Sequence, residues 1–417
     1  MVDMDTILQQ GRAGDVVRSG PRTVTFLPEP ERQARPFTII SVDDHLVEPS
    51  HMFEGRIPAR FVDRAPRVVE DDAVEMWEYD GQLLPNIGLN AVSGRPVSEY
   101  GWEPARFDQM RRGAWDIESR IADMDLNGIF ASMNFPSFLS GFAGQRLQLG
   151  HDPDLALAVV RAWNDFILEE WAGRYPQRII PLQLPYLLDP KIAAAEILSN
   201  AIKGHKAVSF SETPSALGLP SINSDYWDPF FRACEETETV LCMHFGSSGS
   251  LPETTPDLPR DGINCLFGVN LTVGVDWLYA RVPMRFPNIR LCLSEGGAGW
   301  VPALLDRLDH TLKYREWFST FADSEMTPAE LFRRNFWVCA IDEPSAMVNR
   351  DRIGVDHILL ESDYPHADST WPFTQEVVGR SMRGLPPEDV RRITWQNASE
   401  LFRHPVPTSV QTNPDYF

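Results

Sequence analysis

Positive charge is scarce in this sequence. Against 59 Asp and Glu stand only 38 Lys and Arg, a formal net charge of −21 over 417 residues, which argues against a nucleic acid or an anionic membrane surface as partner. Cysteine is scarce too: Cys234, Cys242, Cys265, Cys292 and Cys339 include no CxxC pair, and three of them lie in apolar, strand-like runs. That usage predicts buried free thiols in a reducing compartment rather than a disulfide framework. No apolar stretch approaches the ~18 residues of a membrane helix, and the N-terminus shows no signal-peptide core. The expectation is a soluble, cytoplasmic protein.

What is present suffices for a large core: 43% of residues are hydrophobic and 11% aromatic. A single α/β barrel often fills such a length without splitting. Residues 1–36 are polar, rich in Arg, Gly and Pro and without periodicity, and read as an N-terminal arm. The stretch 37–403 reads as one catalytic domain, and the Pro-rich tail 404–417 as irregular. Within the domain, 50–115 is too long for an ordinary loop and reads as an insertion or lid over the end of the first strand, whose aromatics (Trp77, Tyr79, Tyr100, Trp102, Trp115) are candidates to line a pocket.

Eight apolar strands alternate with helices. The first is the run before Asp43 in FTIISVDDHLVEP, followed by Ile129 to Met133, Ile179 to Leu184, Ala207 to Phe210, Thr239 to His244, Ile289 to Leu293, Phe336 to Cys339 and His357 to Leu360. Helices are expected at about 116–127, from Asp152-Pro153 to Gly173, at Pro190 to Lys203, Asp228 to Glu236, about 269–286, Trp300 to Trp317, Pro344 to Asp351, Phe373 to Arg383 and Pro387 to Phe402. This alternation predicts a parallel (β/α)8 TIM barrel, whose strands are buried on both faces and read as continuous apolar runs.

A barrel places its chemistry where strands end. Strand one ends in Asp43 and His45, two residues apart and so on one side, with Asp44 facing away. Strand five ends in His244, strand six in Glu295, and strand eight in Asp363 and His366. Imidazole plus carboxylate is the ligand mix of Zn, Fe and Mn sites, so these six are the candidate metal ligands for one divalent ion or, as the alternative, two metal ions. Glu48, Ser211 and Glu212 lie at the same end. Lys206 begins strand four at the opposite face, and Asp123 and Asp125 precede strand two, where a structural role is expected. Arg106 and Arg111 could meet a substrate carboxylate, although surface solvation is their expected role.

The ordered set SVDDHLVEP, RIADMDLNGI, MHFGSSG, LSEGGAGWVPALLDRLD and ESDYPH resembles the amidohydrolase superfamily over about residues 37–402. Within it the sequence looks like the amidohydrolase-2 branch of aminocarboxymuconate semialdehyde decarboxylase, resorcylate decarboxylases and carbon–carbon hydrolases. The resemblance implies one divalent ion on Asp43, His45, His244 and Asp363, and a hydrolase or decarboxylase acting on a small carboxylate- or carbonyl-bearing substrate. It also implies catalytic roles for Glu295, Asp363 and His366: the carboxylates would accept a proton from water, and His366 would orient substrate or developing charge. Two positions depart from the branch. Asp43 replaces a commoner His, which hardens the donor set, and Glu295 stands where the decarboxylases carry a His. The surplus of carboxylates is similar to that of dinuclear non-haem iron oxygenases on this fold, which implies a monooxygenase as alternative. A non-catalytic metal-binding subunit partnered by an active paralogue is the third reading. A homo-oligomer or such a hetero-oligomer is expected, since barrels with long arms often assemble.

Overall fold

The computed structural model describes residues 2–3, 24–71, 74–85, 91–100, 106–137, 139–251, 269–314 and 319–417. Trp102 and Cys265 lie outside them. Eight parallel strands form the closed ring of a (β/α)8 TIM barrel: β1 Ile40–His45, β2 Ala131–Phe135, β3 in two pieces, Ile179–Ile180 and Leu182–Gln183, β4 Ala207–Ser209, β5 Val240–His244, β6 Leu291–Ser294, β7 Phe336–Ala340 and β8 Ile358–Leu360. Pro181, which has no N–H to give the ladder, divides β3. Its first piece pairs with β2 and its second with β4, so the ring closes through that strand.

The strands alternate faces. Val240 and Cys242 of β5 join Ile40, Val42, Ala131, Met133, Cys292 and Cys339 in the barrel interior, whereas Leu241, Met243, Leu291, Leu293 and Val338 pack under the helices. Continuing that phase turns His244 inward at the top. In β1 the same count would send Asp44 inward, but the pairing with β2 shifts register between Ser41 and Asp44. Such a bulge re-aims side chains, so Asp43 and His45 face the interior while Asp44 turns outward to Ser41.

Two of the longest helices start at strong caps. Asp189 accepts from Lys191 N and Ile192 N ahead of Pro190, starting the helix Pro190–Lys203, and Asp152 does the same for Pro153–Phe166. The tail departs from expectation. Thr408–Thr412 is helical, and Val406 and Val410 are buried among the inward residues, closing the bottom of the barrel. The insertion contains a three-stranded antiparallel sheet, Arg67–Asp71, Val74–Tyr79 and Gln82–Pro85. Trp77 and Tyr79 are core residues rather than pocket lining: Trp77 packs on Phe53, and the Tyr79 hydroxyl donates to the Leu147 carbonyl (2.8 Å).

Far from the strand tips, His205 is buried and donates from Nε2 to the Asn164 carbonyl (3.2 Å). Burial pulls its pKa down from 6.5 to about 4, and burial likewise lowers His357 and His404. The unfolded chain takes up a proton on His205 below about pH 6.5 that the fold refuses until about pH 4, so this stability is present above pH 6.5 and is lost as pH falls through that window. At ~1.4 kcal/mol per pKa unit, His205 alone costs roughly 3 kcal/mol by pH 4. Denaturant unfolding at pH 7 and 4.5 should show the loss, and His205→Gln should flatten it; an unchanged pH slope in that variant would contradict the assignment.

Candidate metal centre

The tips of β1, β5, β6 and β8 bring all six expected residues together. His45 Nε2 lies 3.4 Å from Asp43 Oδ1, 3.3 Å from Asp363 Oδ1 and 3.1 Å from His244 Nε2. His244 Nε2 is 3.4 Å from Asp43 Oδ1 and 2.8 Å from Glu295 Oε2. His366 Nδ1 is 2.9 Å from Asp363 Oδ1, and its ring stacks on that of His45 at 3.6 Å between centroids. Asp43, His45, His244 and Asp363 are buried, whereas the Glu295 side chain is 27% exposed and marks the open side.

Glu295 and Asp363 follow their strands with φ of 49° and 54°. Left-handed backbone is uncommon for residues other than glycine and costs on the order of 1–3 kcal/mol each. Here it turns two carboxylates toward the barrel axis, Glu295 directly after β6 and Asp363 three residues after β8.

The donor set fits a cation. None of the four oxygens of Asp43 and Asp363 accepts a well-formed hydrogen bond among the described residues, although imidazole nitrogens crowd around them. His244 donates from Nδ1 to the Phe245 carbonyl (2.7 Å), which leaves its Nε2 lone pair for the centre. Atoms that gather lone pair to lone pair in a buried site need a positive ion between them. The protonation pattern carries the same strain. Burial pushes the Asp43 carboxyl up to about 7, with Glu295 and Asp363 adding to the rise. Burial also holds His45 well below 6.5. It works against charge on His244 and His366 as well, but there the neighbouring carboxylates outweigh it and raise both. The donors fall into two overlapping groups that share His45: Asp43, His45 and His244, and His45, Glu295, Asp363 and His366.

Surrounding residues fix these ligands. Asp44 Oδ1 accepts from Ser41 Oγ (2.9 Å), Ser362 Oγ (2.6 Å) and Tyr364 N (3.2 Å), locking β1 to the segment that carries Asp363. The fully buried Arg120 donates to the His45 and Gly113 carbonyls and lies over Tyr364. Asp123 accepts from Arg111 and from the Tyr364 hydroxyl, which gives it a structural part, and Asp125 pairs with Arg178. Arg106 and Arg111 are engaged with Glu70, Glu75, Glu29 and Asp123.

Glu48 and Glu212 stand apart from the cluster. Glu48 accepts from Ser137 and Ser140, and Glu212 accepts from Gly246 N, Ser248 N and Ser248 Oγ. Two residues at the centre were not singled out from sequence. Glu361 is buried, accepts from Glu295 N (3.3 Å), and is raised well above the usual carboxyl range by burial and by Asp43. Phe142 sets its ring 4.1 Å from His244 and 5.2 Å from His45. Glu361 could have been found in the ESDYPH tip; only the glycines of GFAG hinted at Phe142.

A closed parallel barrel with a buried His and carboxylate cluster at the C-terminal ends of its strands defines a metal-ready α/β barrel. The Amidohydro_2 family model, described as amidohydrolase, matches residues 57–404, and the chain belongs to that family. Among solved structures it is similar to an amidohydrolase of Mycobacterium avium subsp. paratuberculosis K-10, at 22% identity and a TM-score of 0.70 over 88% of this chain and 100% of that one. It is also similar to 5-carboxyvanillate decarboxylase of Sphingomonas paucimobilis, at 19% identity and 0.60 over 88% and 99%. A third is the dihydroxybenzoic acid decarboxylase of Polaromonas sp. JS666, with bound manganese and 2-nitroresorcinol, at 16% identity and 0.60 over 91% and 99%. These likenesses establish the fold.

Proposed function

We propose that this protein is a divalent-metal-dependent decarboxylase or hydrolase that cleaves a C–C or C–N bond in a small substrate bearing a carboxylate or carbonyl group. The observation that carries the reading is the buried convergence of Asp43, His45, His244 and Asp363, whose four carboxylate oxygens accept no well-formed hydrogen bond among the described residues. Those four would hold the ion. Manganese in the Polaromonas decarboxylase supports a hard divalent metal, as does the carboxylate at Asp43. When bound, such an ion supplies Lewis acidity toward a substrate oxygen and lowers the pKa of water.

This chain's residues supply the rest. Glu295, on the open side, is placed to accept a proton from water or to deliver one to the carbon or nitrogen that is released. His366 keeps an unpartnered Nε2 free to donate to a substrate oxygen, and its ring is fixed by stacking on His45.

The test separates holding from turnover. Glu295→Gln should retain its metal yet lose turnover by a factor of ~10²–10⁴, the usual weight of a general acid or base. Turnover would be followed as CO2 release from carboxylated phenols and enoic acids, with amide and carbon–carbon hydrolysis run alongside. Full turnover in Glu295→Gln would remove Glu295 from the mechanism, and full turnover after chelation would overturn the reading.

A second reading is favoured by the two donor groups that share His45. Six donors exceed what one ion requires, and Asp43, His45, His244, Glu295, Asp363 and His366 would between them hold two irons, which would supply the oxygen chemistry of an oxygenase. Two irons per chain together with oxygen uptake would establish that reading in place of the first.

A further inference from the structure

We infer that Tyr364 is a positioning residue of the metal centre: its buried hydroxyl, held by Asp123 and Arg111 outside the barrel, fixes the backbone that sets Asp363 and His45 on the ion. The inference rests on the proposed metal-dependent function and adds to it a device that holds two of the ligands in place.

The main chain of Tyr364 joins two strand tips. Tyr364 N donates to Asp44 Oδ1 (3.2 Å), and the Tyr364 carbonyl accepts from His45 N (2.7 Å). Beside it, Asp363 N donates to the Asp43 carbonyl (2.9 Å). The residue therefore couples the tip of β1 to the turn after β8. That turn needs holding, because Asp363 sits at φ 54° and left-handed backbone persists only where its surroundings over-determine it.

The side chain carries the hold outward. Tyr364 is 3% exposed, and its hydroxyl donates to Asp123 Oδ2 on the helix Ile117–Asn127. Asp123 is gripped from its other side by Arg111, whose Nε lies 2.9 Å from both carboxylate oxygens and whose Nη2 lies 2.6 Å from Oδ1. Arg111 is fixed in turn, with its guanidinium 4.4 Å over the Trp371 ring and 2.7 Å from Glu29. Gly113 makes room for the meeting: a Cβ there would stand 2.1 Å from Asp123 Oδ2 and 2.7 Å from the Tyr364 hydroxyl.

Filling space does not explain this arrangement. A phenylalanine ring would pack under the Arg120 guanidinium, 4.6 Å from the Tyr364 centroid, as well as a tyrosine ring does. Arg111 alone would satisfy the Asp123 carboxylate. The hydroxyl adds one charge-assisted hydrogen bond with a defined direction, and that bond determines where Tyr364, and so its neighbour Asp363, can stand. Partners that orient a ligand from outside typically account for about 10- to 100-fold in metal affinity.

The experiment is isothermal titration of Mn2+ into the chelator-treated full chain, paired with denaturant unfolding of each variant in chelator. Tyr364→Phe keeps the ring and loses only the hydroxyl, and it should bind Mn2+ about 10- to 100-fold more weakly than the parent. Asp123→Ala should show a loss of similar size, and Tyr364→Phe added to it should weaken binding no further, because both act through one contact. Val410→Ala, which loosens the floor of the barrel, should lose stability and keep the parent's Mn2+ affinity. Parent-like affinity in Tyr364→Phe, at whatever stability, would overturn the inference. Losses that combine in full in the double variant would overturn it as well, and so would an equal loss in Val410→Ala, since affinity would then simply follow stability. A parent chain that takes up no Mn2+ would instead defeat the proposed function, and this inference with it.

Discussion

Asp43→Asn should bind divalent metal at least about a hundredfold more weakly than the parent, yet be the more stable of the two once metal is chelated. The first half follows from its position. Loss of an outer-shell partner of a metal ligand typically costs 10–100-fold, and Asp43 Oδ1 lies within 3.4 Å of both His45 Nε2 and His244 Nε2.

The second half follows from burial. The Asp43 carboxyl is raised from 3.8 to about 7, burial being the largest cause. The fold thus keeps a proton that the unfolded chain releases above about pH 4. Stability from this group is complete below that pH and is lost as pH rises through about 7. Three units correspond to roughly 4 kcal/mol at most, so the asparagine variant should gain on the order of 2–4 kcal/mol in denaturant at pH 8 with chelator present. Metal narrows the difference, because ligand at a hundred times its Kd adds ~2.7 kcal/mol to the parent. A variant that is less stable than the parent in chelator would mean that the carboxylate is satisfied within the protein, and the case for a cation would weaken.

Arg120→Met should be the most damaging single change outside the cluster, at about 3–5 kcal/mol, the range for removing one partner of a buried charge pair. Arg120 is fully buried, holds the His45 carbonyl and lies in the field of Asp44, whose pKa stays near 6 because burial outweighs Arg120 and three hydrogen bonds. Without the guanidinium, Asp44 is an unpaired buried carboxylate and the tip of β1 loses its tether. Adding Asp44→Asn should recover part of the stability, since the charge left unpaired is then gone, while metal affinity stays low because His45 remains untethered. A double variant no more stable than Arg120→Met would show that the two charges are not coupled.

Much of this was legible in the chain. The helix boundaries Pro190–Lys203 and Asp228–Glu236 agree with the sequence reading, because a capping Asp, or a Pro in the first turn, ends the ambiguity about where a helix begins. The six tip residues were legible because a buried strand that ends in His or a carboxylate is chemically conspicuous.

What escaped had weaker or unread signals. The hairpin in the insertion turns at Asp80-Gly81, both with positive φ, a pair that favours tight turns, but charges interrupt its strands. The helix Pro328–Asn335 is announced by the capping box of Thr327 and Glu330, yet it is only two turns long. The bulge that turns Asp43 inward depends on pairing between β1 and β2, which periodicity within one strand does not reveal. Phe142 belongs to the site through folding of a loop, and only the flanking glycines of GFAG distinguish it from a core phenylalanine.

The central claim is that Asp43, His45, His244 and Asp363 hold one divalent ion. Equilibrium dialysis against micromolar Mn2+ followed by elemental analysis tests it most directly. The account predicts about one ion per chain for the parent and less than a tenth of that for Asp43→Ala and for His244→Ala; a parent with no retained ion, or both variants as fully loaded as the parent, would contradict it.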